Sequence, residues 1–231
     1  MKDDWFLSAF GEWRELAAAL LPHAIDADAN DGSHDLAHLM RVWRNAQRIM
    51  ATDGGDAELI VAAVLLHDCV AVEKDSPLRE QASRLAAQKG REVLHALGWP
   101  AQRCEQVAHA VEAHSFSAGV EPRSLEARIL QDADRLDALG LLGVARCFYT
   151  AGRMGSTLYS PDDPAGEHRP LDDRRHALDH FPRKLLRLSE GFRTQGGMAL
   201  AQQRHRRLLD FYQGFLDEVA GGTMAVENES P

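Results

Sequence analysis

His67 and Asp68 sit side by side at the end of an apolar run from Leu59 to Leu66. An imidazole and a carboxylate are costly to bury unless something pairs with them. A metal ion pairs with both, since imidazole nitrogen and carboxylate oxygen are both good ligands. A hydrolytic metal centre needs three or four side-chain ligands and an open position for water. His38, one helical segment earlier, offers a third ligand. Asp134, in Gln131-Asp132-Ala133-Asp134-Arg135-Leu136-Asp137, offers a fourth. Separate apolar helices each bringing a His or an Asp make a stronger pattern than any one of them. Asp132 competes with Asp134, but two positions along a helix turn a side chain to nearly the opposite face. Asp137, one turn after Asp134, is a candidate for holding a ligand in place or for acting as a general base. Its alternative is an exposed helix carboxylate.

Phosphate recognition needs compact positive charge or a guanidinium fork. Lys74 and Arg79 follow the His–Asp pair closely and are read as substrate contacts, with Lys74 also a catalytic candidate that reaches over the metal. Arg84 reads as solvated surface. His34, one turn before His38, and His114 are read as further substrate contacts. His109 lies five positions before His114, a poor fit to one helical face, and receives no role. His168, Arg169, Arg174 and Arg175 either close over phosphates or pair with Asp172 and Asp173, the second being the better fit. Arg135 is expected to pair with a carboxylate.

These groups need a frame, and the apolar spacing predicts an all-α one. Helices are expected over 5–21 (stopped by Pro22), from about 35 to 52, over 56–70, 78–97, 101–114 and 125–139. The segment 141–150 either continues the last of these or starts afresh after the glycines. The stretch 56–70 is apolar nearly all round and belongs in the middle of a bundle. Residues 152–173 read as a long irregular loop, which in a compact domain is more often functional than idle. Two helices, 174–193 and 198–219, close the chain. One domain is expected over 1–220, with its core at about 33–143 and a disordered tail from 221.

With 231 residues, 45% of them apolar and 26% charged, the chain can bury a sizeable core. Its net charge of −9 argues against non-specific binding to nucleic acid or anionic membranes. A small anionic substrate held by a local basic patch remains compatible with it. Cys69, Cys104 and Cys147 are scattered, as expected of reduced thiols in a cytoplasmic protein. The acidic start does not read as a signal peptide, and no apolar run is long enough to span a membrane. The Trp- and Phe-bearing first helix packs either within the chain or against a second copy, which leaves a homo-oligomer open.

The pattern His38…His67-Asp68…Asp134 resembles the H…HD…D signature of HD-domain metal-dependent phosphohydrolases, over about 33–143. Four flanking segments resemble one bacterial subgroup: His34-Asp35-Leu36-Ala37-His38, Lys74-Asp75-Ser76-Pro77, Ala113-His114-Ser115-Phe116-Ser117 and 131–137. The similarity extends through Arg146-Cys147-Phe148-Tyr149-Thr150 and 162–175. The resemblance implies an all-α bundle with a divalent metal at its centre, held by His38, His67, Asp68 and Asp134. It implies hydrolysis of a phosphate ester or anhydride by metal-activated water, with a nucleotide as substrate. Some similar proteins convert nucleoside triphosphate to monophosphate and pyrophosphate. Mn²⁺ leads the expected metals, followed by Fe, Co²⁺ and Zn²⁺, with Mg²⁺ less suited to two imidazoles. Several HD hydrolases carry an acidic residue three to five positions after the HD pair. Ala71, Val72 and Glu73 stand there in this chain, so the base falls to Asp137, Glu73 or Glu112, or to the metal alone. The alternatives are a di-iron HD oxygenase, which needs additional ligands, and a non-catalytic nucleotide-sensing HD domain.

Overall fold

The computed structural model describes residues 4–25, 36–70, 72, 81–115 and 118–221. All regular elements among them are helical, apart from one isolated bridge between Thr157 and His176. The all-α expectation therefore stands. The described chain packs as two compact units. The first comprises Met1–Asp137 with Gly191–Ala201, the second Ala138–Glu190 with Gln202–Pro231.

The first unit contains α1 (Asp4–Leu7), a 3₁₀ segment (Ser8–Trp13), α2 (Arg14–Ala24), α3 (Leu36–Asp53), α4 (Ala57–Leu66), α5 (Ala82–Ala96), α6 (Ala101–Ala113) and α7 (Leu125–Leu136). α4 is its axis. It packs against α2, α3, α5, α6 and α7, and every residue from Leu59 to Leu66 is buried. A helix apolar on all sides has nowhere else to go. Asp56 starts it by accepting from the Leu59 N–H at 3.1 Å. Gly55 ends the preceding turn at φ 116°, where a β-carbon would also press on Ile129.

Phe6 and Phe10 are buried, and Phe10 stacks on Trp43 of α3 with centroids 5.3 Å apart. The first segment thus packs within the chain. It is not one helix. Gly11, at φ 55° and ψ −121°, breaks it. Pro22 does not stop α2, which runs to Ala24. So close to a helix end, the missing proline N–H removes one bond without preventing the last turn.

The second unit holds α8 (Gly140–Met154), α9 (His180–Arg183) and the length of α10 (Gln195–Val219) beyond Ala201. α8 starts afresh at Gly140. The single helix expected over 174–193 is instead a 3₁₀ turn (Ala177–Asp179), α9 and another 3₁₀ turn (Leu185–Arg187). Pro182 cannot donate to the Leu178 carbonyl, and the segment resolves into short turns. Phe148, Phe211 and Phe215, half-buried, gather with the buried Phe181 into an aromatic cluster in this unit, with ring centroids 5.7–6.0 Å apart.

Candidate metal centre

α4 ends at Leu66, four residues before the expected stop, so the His–Asp pair lies in the turn that follows. His67 contributes to that ending. Its Nδ1 lies 2.8 Å from the Val64 carbonyl, one of the oxygens a helix terminus leaves without a partner. His114 does the same at the end of α6, with Nδ1 2.6 Å from the Val111 carbonyl. His38, in the first turn of α3, places Nδ1 2.8 Å from Asp137 Oδ2. Carbonyls and carboxylates only accept, so each Nδ1 carries a proton, which leaves Nε2 of His38 and His67 to present lone pairs.

Those lone pairs converge. His38 Nε2 and His67 Nε2 stand 3.3 Å apart. Asp134 Oδ1 lies 3.5 Å from the first and 3.9 Å from the second. Asp68 Oδ2 lies 3.8 Å and 3.4 Å from the same two atoms. Ligands about 2.0–2.2 Å from a cation in a tetrahedron stand about 3.3–3.6 Å from one another. Acceptors gathered this closely repel unless a cation lies among them. Two overlapping groups meet the spacing for a metal ion: His38, His67 and Asp134, and His67, Asp68 and His114. The donor set fits a divalent metal. The imidazoles are buried, while the Asp68 and Asp134 side chains remain 27% and 30% exposed, which puts the open side of the site at the carboxylates.

Burial pushes the His67 pKa down, and Asp68 only partly offsets it, so this ring is kept neutral as a ligand must be. Burial also opposes charge on His114, but there the nearby Asp68 carboxylate wins and the pKa rises. His114 Nε2 is 3.6 Å from Asp68 Oδ1, and its ring meets that of His67 edge-on at 4.9 Å. Read as a substrate contact, His114 thus belongs to the same cluster as the ligands.

Asp137 is fully buried and accepts from His38 Nδ1 and from Arg41 Nε and Nη2. Burial favours its neutral form, yet His38 and Arg41 outweigh this and hold the carboxyl far below its usual range. A carboxylate so engaged has three donors to satisfy before it could take a proton from water. It orients His38. Glu112, the other base candidate within the described residues, accepts from the exposed Arg84. Asp132 is turned away, accepting from the Arg193 and Thr194 N–H groups and the Thr194 hydroxyl. His109 Nε2 accepts from the Arg123 N–H, a structural contact. Arg135 lies over the Phe192 ring, 5.4 Å from its centroid. Arg169 grips Asp179, not Asp172 or Asp173. His34, Lys74, Arg79 and Glu73 lie outside the described residues.

Two residues escaped the sequence reading. Arg41 carried no role, although it lies three positions from His38 on the same helical face. Gln131, 3% exposed, donates Nε2 to the Ala113 carbonyl at 2.8 Å, which fixes its amide orientation and leaves Oε1 without a donor among the described residues.

The HD domain family matches residues 35–139. The chain is 32% identical over 202 residues to YpgQ of Bacillus subtilis, covering 86% of this chain and 90% of that one. Among solved structures, an HD-superfamily hydrolase from Bacillus thuringiensis is 28% identical, with a TM-score of 0.65 over 94% of this chain and 98% of its own. The crystal structure of YpgQ in complex with ADP is likewise 28% identical, with a TM-score of 0.65 over 94% and 97%. The facing histidines and aspartates all fall inside the matched segment, and the likeness to YpgQ runs through most of both chains. This chain is therefore a member of the HD-domain family of hydrolases.

Proposed function

We propose that this protein is a metal-dependent phosphohydrolase acting on a phosphate ester or anhydride of a nucleotide. The observation that carries the reading is the cluster of facing acceptors, His38, His67, Asp68 and Asp134. These four side chains would hold the metal, with Mn²⁺ as first choice and Fe, Co²⁺, Zn²⁺ or Mg²⁺ as alternatives. When bound, a divalent cation supplies Lewis acidity toward a phosphoryl oxygen and a lowered pKa for water.

The protein's own groups do the rest. Asp137 and the Val64 carbonyl fix the His38 and His67 rings. The partly exposed carboxylates mark where substrate and water enter. His114, held toward its cationic form by Asp68, donates from Nε2 to a phosphoryl oxygen. His34, Lys74 and Arg79 remain the proposed source of further donors and positive charge for the phosphates. The YpgQ crystal structure in complex with ADP supports a nucleotide substrate. Three free cysteines support a cytoplasmic setting, and no helix of the described residues is long and apolar enough to cross a membrane.

One observation favours a second reading. The group His67, Asp68 and His114 overlaps the first and offers ligands for another ion, as a di-iron oxygenase requires. Elemental analysis separates the two: about one ion per chain fits hydrolysis, and about two irons fit the oxygenase.

The test is a Mn²⁺-supplemented screen of nucleoside mono-, di- and triphosphates, with orthophosphate and pyrophosphate resolved. We expect one of the two products from the wild type and about a thousandfold loss in Asp68→Ala. Turnover unchanged in that variant would end the assignment. Nucleotide binding without product would leave a sensor.

A further inference from the structure

Behind the facing acceptors lies a second tier of contacts between the same two helices. α3 supplies His38 and, three residues on, Arg41. α7 supplies Asp134, and its C-cap residue three positions on is Asp137. In both pairs the spacing puts the two side chains on one face, one turn apart. Arg41 Nε lies 2.6 Å from Asp137 Oδ1 and Arg41 Nη2 lies 2.9 Å from Oδ2. Oδ2 is also the atom that accepts from His38 Nδ1 at 2.8 Å. The two-pronged grip sets the plane of the carboxylate, and that carboxylate sets the plane and tautomer of the His38 ring.

We propose that Arg41 is a positioning residue for the metal centre, acting through Asp137 to aim His38 Nε2 at the ion. This rests on the metal-dependent reading above. Three features carry it. The fork is bidentate, so it fixes an orientation and does more than supply charge. The Asp137 side chain is 1% exposed, so water does little to hold it. The same oxygen is shared between Arg41 and His38, so movement of the fork moves the ring. Asn45, one turn further along α3, donates Nδ2 to the Ala133 carbonyl at 2.9 Å and ties the same helices together. Loss of Arg41 therefore leaves the helices docked while freeing the carboxylate to turn.

The experiment is titration of metal-stripped protein with Co²⁺, followed by the visible absorption of the bound ion, so that no activity is read. Wild type, Arg41→Gln, Arg41→Lys, Asp137→Asn and the Arg41→Gln/Asp137→Asn double variant are compared, with thermal unfolding run alongside. Loss of a group that orients a ligand typically weakens metal binding about 10–100-fold. We expect that loss for Arg41→Gln and Asp137→Asn, and a smaller one for Arg41→Lys, which keeps the charge but not the fork. The double variant should bind no more weakly than Asp137→Asn alone, because Arg41 acts through that carboxylate. Arg41→Gln binding Co²⁺ within about twofold of wild type would overturn the proposal, since a factor of ten or more is expected. So would losses that multiply in the double variant, or a fall in melting temperature with affinity unchanged. If Arg41→Gln does not fold, the order wild type, Arg41→Lys, Asp137→Asn decides. Wild type that takes up no Co²⁺ would remove the metal reading itself, whereas normal wild-type binding with an unaffected Arg41→Gln would remove only the role of Arg41.

Discussion

The two units each bury a cluster of acidic and basic side chains, built on opposite principles. In the second unit each carboxylate meets its donors. Asp179, with a fully buried side chain, accepts from both prongs of Arg169 at 2.6 and 2.7 Å and from the Asp172 N–H at 2.7 Å. Asp173 takes His180 on one oxygen and Arg183 on the other. Such a cluster is closed. In the first unit the Nδ1–H groups of His38 and His67 are spent on Asp137 and Val64, and their Nε2 atoms turn inward as acceptors beside Asp68 and Asp134. That cluster is short of positive charge at its centre. The same residue types hold a loop together in one unit and wait for a cation in the other, and hydrogen-bond accounting tells them apart.

Substitutions should therefore have opposite signatures. The largest effect is expected in the open cluster. Asp134→Asn should cost about a thousandfold in hydrolysis, roughly 4 kcal/mol, while the metal-free protein melts no lower than wild type, because one repelling acceptor has lost its charge. Calorimetry on stripped protein beside the activity assay checks both halves.

The closed cluster should behave the other way. Asp179→Asn strands Arg169 and should cost about 3 kcal/mol of stability, with Co²⁺ affinity of the folded protein unchanged. A pH dependence follows. Burial pushes the Asp179 pKa up, but Arg169 and the Asp172 N–H outweigh it, so the folded value lies below the unfolded one. Its stabilisation is present above the unfolded value of about 3.9 and is lost as pH falls through that value toward the folded one. Urea unfolding between about pH 5 and pH 3 should show a shallower loss of stability in Asp179→Asn than in wild type.

A smaller effect is expected at the start of α4. Asp56→Ala removes the N-cap and should lower stability by about 1 kcal/mol. Metal affinity should hold, since the cap lies at the opposite end of the helix from His67. A change in affinity there would show that stability and site are not separable in this unit.

Much of the open cluster was legible in the sequence, because its parts are local. An all-apolar segment ending in His-Asp gives a buried helix with polar groups at its tip. The face argument separates Asp134 from Asp132, and Asp132 accepts from the Arg193 and Thr194 N–H groups. The contact behind the open cluster was less legible because it is distant in sequence: Arg41 meets Asp137 across 96 positions. The tautomers of His67 and His114 depend on where their helices stop, and helix ends are the least certain part of any pattern reading. The segment 174–193 carries helical spacing, and only the loss of one backbone donor at Pro182 breaks it. Gly11 acts likewise, through a backbone angle that apolar periodicity does not register.

The central claim is that His38, His67, Asp68 and Asp134 surround a cation, and anomalous X-ray scattering from a Mn²⁺-soaked crystal tests it most directly. The account predicts a peak about 2.0–2.2 Å from the Nε2 atoms of both histidines, lost in Asp68→Ala. A peak elsewhere, or none at saturating Mn²⁺, would contradict it.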